Sequence, residues 1–219
     1  MLDKFVFRKN TSDENVIKEI LEKKAYSKKK IDFKIEPDDV WLDGGSHIGV
    51  FGLYAAQNGA KKVYCYEPET ENYKILQENI RHIGTEYSTN LESFQYAINQ
   101  TGGTHSFTIA PNTWRHSLVT HYKKKLPTIE INCMSFDEIL ERHRDINCIK
   151  LDIEGSGNLI LKEGFISQGI EIMSSGRDTI TGPGLPVLAI LNALETISGI
   201  LFTLFISVIH FAIPEYISL

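Results

Sequence analysis

A chain of 219 residues is long enough for one domain with a full hydrophobic core. Its 23 basic and 28 acidic residues leave a formal net charge of −5, which excludes the basic excess expected of a nucleic-acid binder. Its three cysteines, Cys65, Cys133 and Cys148, are too few and wrongly spaced for a disulfide framework or a zinc motif, and they suggest a reducing compartment.

The N-terminus carries Asp3, Lys4, Arg8 and Lys9 and lacks the apolar stretch of a signal peptide, so a cytoplasmic location is expected. Ser12-Asp13-Glu14 opens a helix with Val16, Ile17, Ile20 and Leu21 on one face. A short strand is predicted over 31–36, and residues 1–38 form a cover beside the main domain. The lysine triplets at 28–30 and 123–125 read as solvated loops or helix ends.

Val40-Trp41-Leu42-Asp43-Gly44-Gly45-Ser46-His47-Ile48-Gly49 is the most informative stretch. It reads as a buried strand over 40–43, a glycine turn and a helix over 47–58. Gly44, Gly45 and Gly49 leave room for a ligand to approach the backbone. A second strand, 62–67, ends at Glu67-Pro68, ahead of a helix over 70–82. Glu67 lies 24 residues after Asp43, close to the ~20 expected between the glycine turn and a ribose-binding acid. The competing role for Glu67 is to cap the helix that follows.

The glycine spacing fails the G-x-G-x-x-G dinucleotide pattern, and no Gly-Lys-Ser/Thr follows for a phosphate loop. What remains is Asp-x-Gly-x-x-x-Gly. An acid at the strand end suits a ligand with an ammonium group, and S-adenosylmethionine has an ammonium, a carboxylate and a ribose. Asp43 would face the ammonium, usually through water. Backbone N–H groups of residues 46–48 would face the carboxylate.

Further along, a third strand is predicted over 93–98, added strands over 104–109 and 128–133, a helix over 136–142 and a central strand over 148–153. Asp152 and Glu154, at the end of that strand, share a face and are candidates to orient an acceptor or take its proton. Glu154 has an alternative role bonding backbone N–H groups before Gly155. The pair is a weak metal signal, and no metal is expected. Trp114, Arg115 and His116 fall in a polar loop. His116 is a candidate base, with a solvated loop histidine as the alternative.

These pieces resemble the FkbM-type methyltransferases, a branch of the class I S-adenosylmethionine-dependent enzymes. The likeness rests on residues 41–49, Tyr66-Glu67-Pro68, Asn79, Ala97-Ile98, His116-Ser117-Leu118, Ser135-Phe136-Asp137-Glu138-Ile139-Leu140 and Ile149-Lys150-Leu151-Asp152-Ile153-Glu154-Gly155. It covers about residues 38–157, and His47 stands where that family often has Asn. The resemblance implies an α/β fold, Rossmann-like and doubly wound, with a mostly parallel sheet over 39–177. It implies S-adenosylmethionine as cofactor, held by Asp43, Gly44, Gly45, Ser46, His47, Gly49, Glu67, Pro68 and Ala97. It also implies methyl transfer, O-directed, to a small molecule or glycan, with no nucleic-acid partner. Two alternatives stay open: a degenerate or truncated cofactor-binding module, and an NAD(P)-dependent oxidoreductase, which the glycine spacing disfavours.

The tail, 178–219, contains no Lys or Arg, and residues 196–214 are uncharged and apolar. That run of 19 residues approaches the ~20 needed to span a bilayer but lacks basic flanks. A membrane anchor, a packing or dimerising helix, and a foreign or frame-shifted terminus beginning at Gly157 are the three readings, the last preferred. Beyond a possible strand at 169–174, the closing strands of the sheet are not legible in this tail, and the sequence does not set the oligomeric state.

Overall fold

The computed structural model of the chain describes residues 4–23, 34–109 and 126–153, with the backbone of 188–197 and 200–206. Helix α1 (Ser12–Ile17) is capped by the Thr11 side chain and runs on as a π-helical turn, Lys18–Glu22. Strand β1 (Val40–Gly44), helix α2 (Val50–Gln57), strand β2 (Lys62–Tyr66), helix α3 (Thr70–Glu86) and strand β3 (Asn90–Phe94) follow. Then come β4 (Ala97–Asn99), β5 (Gly103–Thr108), β6 (Thr128–Ser135), α4 (Phe136–Arg142), β7 (Cys148–Leu151), β8 (Leu188–Ile197) and β9 (Ile200–Ile206).

The main sheet has the order β3-β2-β1-β7-β8-β9, and β4-β6-β5 form a small second sheet. Pairings from β3 through β8 are parallel, and only β8 with β9 is antiparallel. The chain steps from β1 outward to β3, then returns to lay β7 on the other side of β1. That reversal is the topological switch point, where ligands bind in open α/β sheets outside the carboxyl ends of the strands. The fold is therefore the Rossmann-like doubly wound sheet.

Because side chains alternate along a strand, the central strands feed two cores. Val40, Leu42, Tyr64, Tyr66, Ile149 and Leu151 pack with Ile98, Phe136 and Ile139 on one face. Trp41, Val63, Cys65 and Cys148 pack with Phe51, Tyr54, Ala55 and Leu76 on the other. Helix α2 is buried from Val50 to Ala56, with no polar face. A helix apolar all round needs cover on both sides. The sheet supplies one side, and Phe5 and Ile17 of the N-terminal segment meet Val50, Leu53 and Ala56 on the other.

Several sequence expectations are revised. The helix after the glycine turn starts at Val50 and not at residue 47, because His47 (φ 52°) and Gly49 (φ 89°) are left-handed and cannot be helical. The strand over 93–98 divides into β3 and β4, which belong to different sheets. Residues 34–36 are not a strand; the Glu36 N–H bonds Asp39 Oδ2 at 2.8 Å in the turn before β1. The tail forms strands over 188–197 and 200–206, continuing the main sheet beyond β7, where none of the three readings placed them. The possible strand at 169–174 lies outside the described residues. Among the described residues no helix is long and apolar enough to cross a membrane.

His143, at the end of α4, is buried against the sheet. Its ring stacks on Tyr64 with centroids 3.8 Å apart, and Nε2 lies 2.9 Å from the Tyr66 hydroxyl. Burial and the neighbouring Arg142 charge lower its pKa, with Asp145 and Glu92 opposing and Lys62 adding to the effect. An imidazole harder to protonate folded than unfolded gives stability that is full above the ordinary value of about 6.5 and falls as pH drops through it. Thermal unfolding of the parent protein should therefore lose midpoint between about pH 7 and 5, and His143→Gln should flatten that part of the profile. An identical slope in the variant would assign it to other groups.

Candidate active site

The site grows from register. In β1–β7 pairing Asp43 is level with Lys150, and in β1–β2 pairing with Cys65. All three residues sit on the face that carries α2. Lys150 Nζ donates to Asp43 Oδ1 at 2.7 Å and lies 3.3 Å from the Gly45 carbonyl, with both side chains 5% exposed or less. The other Asp43 oxygen, Oδ2, is buried with no hydrogen-bond partner among the described residues. A buried carboxylate oxygen left bare is costly, so the position calls for a donor from water or a ligand.

The turn after β1 is pinned from below. The Gly45 and Ser46 N–H groups both donate to the Tyr66 carbonyl at 3.0 Å, and Ser46 Oγ donates to the Asp43 carbonyl at 2.7 Å. The His47 N–H donates to Glu67 Oε2 at 2.8 Å. Of the N–H groups expected to face a ligand carboxylate, those of Ser46 and His47 thus have protein partners. His47 is the non-glycine residue of this turn in the left-handed region, which Asn and His tolerate better than most side chains. That constraint explains why His can stand where the resemblance leads one to expect Asn.

The glycines also serve the protein's own packing. A Cβ on Gly44 would lie 2.6 Å from Leu151 Cδ2 and 2.8 Å from Ile98 Cδ1. On Gly45, at φ +74°, it would come within 2.1 Å of the Asp152 carbonyl oxygen. The room attributed to a ligand at these two positions is filled by neighbouring protein. The close approach at Gly45 brings Asp152 to the turn, where its N–H donates to the Gly44 carbonyl at 2.8 Å. Asp152 is half-buried.

Glu67 ends β2 and is 5% exposed. Besides the His47 N–H on Oε2, its Oε1 accepts from the Glu69 N–H at 3.0 Å and from Asn72 Nδ2 at 3.3 Å. Burial pushes the carboxyl above its ordinary pKa, and His47 and these donors pull it partly back. The capping role weighed for Glu67 falls instead to Glu69, whose side chain accepts from the Glu71 and Asn72 N–H groups at the start of α3. Three of about four acceptor positions are used, which leaves one on Oε2. Pro68, half-buried, separates Glu67 from Glu69.

Ala97 lies elsewhere: it pairs with Cys133 and packs with Phe107 and Ile131 in the small sheet. Its neighbour Ile98 is the residue that reaches Gly44. Glu154 and His116 lie outside the described residues. The cysteines are buried, and burial raises all three thiols, Cys133 to about 11, so none is activated as a nucleophile. Among the described residues no group of three or more His, Cys, Asp or Glu could hold a metal ion.

Sequence reasoning passed over Lys150, although its signal was available. A lone ammonium in the middle of a buried parallel strand demands a buried acid partner.

A family model, the Methyltransferase FkbM domain, matches residues 43–180. The chain belongs to the FkbM methyltransferase family. The match begins at the Asp43 turn and carries through β7, so the family assignment and the switch-point geometry coincide. It continues to residue 180. The likeness therefore does not stop near Gly157, which removes one ground for reading the chain from there as foreign. No curated protein matches this chain.

Proposed function

We propose that this methyltransferase uses S-adenosylmethionine and transfers the methyl group to a hydroxyl of a small molecule or glycan. The observation that carries the cofactor reading is the buried Oδ2 of Asp43 at the switch point, which has no hydrogen-bond partner among the described residues and lies beside Glu67 at the end of the next strand. Asp43 suits the ammonium end of the cofactor, directly or through water. Glu67 suits the ribose through its remaining acceptor position. The cofactor supplies a methyl group already activated by the sulfonium charge. The chain's task is then to align the acceptor and remove its proton.

Asp152 is the group for that proton. It follows β7 directly, and the turn at Gly45 holds its backbone. Glu154 and His116 are secondary candidates from the sequence. Catalysis in the cytoplasm without nucleic acid as substrate is the setting that charge and composition favour.

Isothermal calorimetry on the full chain tests the cofactor. S-adenosylmethionine and S-adenosylhomocysteine should bind, and NAD should not. Binding without turnover on any hydroxyl acceptor would favour a degenerate binding module. Failure of both adenosyl ligands to bind would overturn the cofactor assignment.

A further inference from the structure

The N-terminal segment reaches both oxygens of Glu67. Arg8 grips Asp13 as a fork: its Nε donates to Oδ2 at 2.8 Å and its Nη2 to Oδ1 at 3.0 Å. The Arg8 backbone N–H adds a third bond to Oδ2 at 3.0 Å. The Asp13 side chain is fully buried. Burial opposes its ionisation, but the bonds from His47 and Arg8 outweigh that and hold the carboxyl well below the usual range.

Two paths lead from this pair to Glu67. In the first, Arg8 Nη2 donates to Asn72 Oδ1 at 2.7 Å, and Asn72 Nδ2 donates to Glu67 Oε1 at 3.3 Å. In the second, His47 Nε2 lies 3.3 Å from Asp13 Oδ1, while the His47 N–H donates to Glu67 Oε2 at 2.8 Å. Arg8 Nη2 is also 3.3 Å from His47 Nε2. Its two hydrogens, however, are directed at Asp13 and Asn72, which leaves His47 to donate to Asp13.

Each link has a fixed direction. Arg8 only donates, so Asn72 must turn its oxygen toward Arg8 and its NH₂ toward Glu67. Without Arg8 the Asn72 oxygen loses the donor that fixes the amide from the far side, and its hold on Glu67 loosens. A second tether strengthens the segment's hold: Asn79 accepts from the Val6 N–H at 2.7 Å and donates to the carbonyls of Val6, at 2.9 Å, and Ile48, at 2.8 Å. Arg8 and Asp13 precede the matched family region, which begins at residue 43.

We propose that Arg8, through Asp13, Asn72 and His47, is a positioning residue that holds the Glu67 carboxylate in the orientation that receives the cofactor's ribose. The N-terminal segment is then part of the cofactor site and not a cover alone. This inference rests on the S-adenosylmethionine reading above.

The test uses two probes on the full chain, S-adenosylhomocysteine and its 2′,3′-dideoxyribose analogue, titrated by calorimetry. The parent protein should prefer the natural ribose by roughly tenfold, the scale of a charge-assisted hydrogen bond. Arg8→Lys keeps a positive charge for Asp13 but lacks the fork that also reaches Asn72. It should bind the natural probe roughly tenfold more weakly and the dideoxy probe about as before, so that the preference collapses. Asn72→Leu should do the same, and it serves if Arg8→Lys does not fold. A general structural defect would weaken both probes alike and keep the preference, which would overturn the proposal. So would parental binding of both probes with equal affinity. Failure of the parent to bind either probe would instead overturn the cofactor reading.

Discussion

Replacing Asp43 with alanine is expected to cost about 3–5 kcal/mol of folding stability, before any effect on ligand binding is measured. The reason lies in Lys150. Its ammonium is 2.7 Å from Asp43 Oδ1 and has little access to water. With Asp43 gone, the neutral Gly45 carbonyl at 3.3 Å cannot balance a buried charge. Lys150→Met should be similarly damaging, because it leaves a buried carboxylate stripped of its ion-pair partner. Removing both charges at once, as in Asp43→Leu with Lys150→Met, should recover most of the loss, since an apolar pair of similar volume replaces a buried ion pair at little cost. Denaturant unfolding of the parent, both single variants and the double variant measures this directly. Single variants with parental midpoints would show that the pair is not the buried unit described. The double variant also separates two questions. A folded double variant that no longer binds S-adenosylmethionine would show that the binding loss is not a consequence of unfolding.

Much of this arrangement was legible in the chain because local pattern and tertiary role agree. Helix α4 is an example: Ser135 and Glu138 form a reciprocal capping box, and the predicted bounds of 136–142 coincide with Phe136–Arg142. Strands β1, β2 and β7 were legible as buried strands because both of their faces are covered, one by each core, although β7 ends at Leu151, two residues before the predicted bound, and leaves Asp152 beyond the strand. The glycine turn was legible as a turn, but the purpose of its glycines was not. Their missing Cβ atoms make room for Leu151, Ile98 and the Asp152 carbonyl, contacts that depend on strands remote in sequence.

The same limit hid the polar network. Arg8 and Asp13 are five residues apart and looked like ordinary charges near a helix start. Their partners, Asn72 and His47, come from α3 and the β1 turn, brought together only when α2 is covered on its second face. The π-helical turn after α1 and the break between β3 and β4 have no local signal either. In the second case the chain changes sheets after two residues, Gln95 and Tyr96, that carry no glycine or proline to mark a turn. The strands of the tail were hidden by composition, because an apolar run of that length suits a spanning helix as well as paired strands.

The Asp152→Asn variant is expected to lose ~10²–10⁴ in turnover, the contribution of a positioned general base, while binding S-adenosylhomocysteine with nearly parental affinity. The substitution keeps the side chain's shape, exchanges one acceptor oxygen for an NH₂ donor, and cannot accept a proton at neutral pH. Its backbone anchor is independent of the side chain: the Asp152 N–H bonds the Gly44 carbonyl at 2.8 Å, and the Asp152 carbonyl packs against Gly45. The turn that carries Asp43 should therefore stay in place, and a change in rate would report chemistry and not a displaced cofactor. Initial rates with any hydroxyl acceptor that supports parental turnover, alongside calorimetry on the same preparations, give both numbers. A parallel loss of rate and affinity would mean that Asp152 acts through the shape of the turn. Parental turnover would make Asp152 structural and shift the search for a base to His116, the candidate with an intrinsic pKa closest to neutrality.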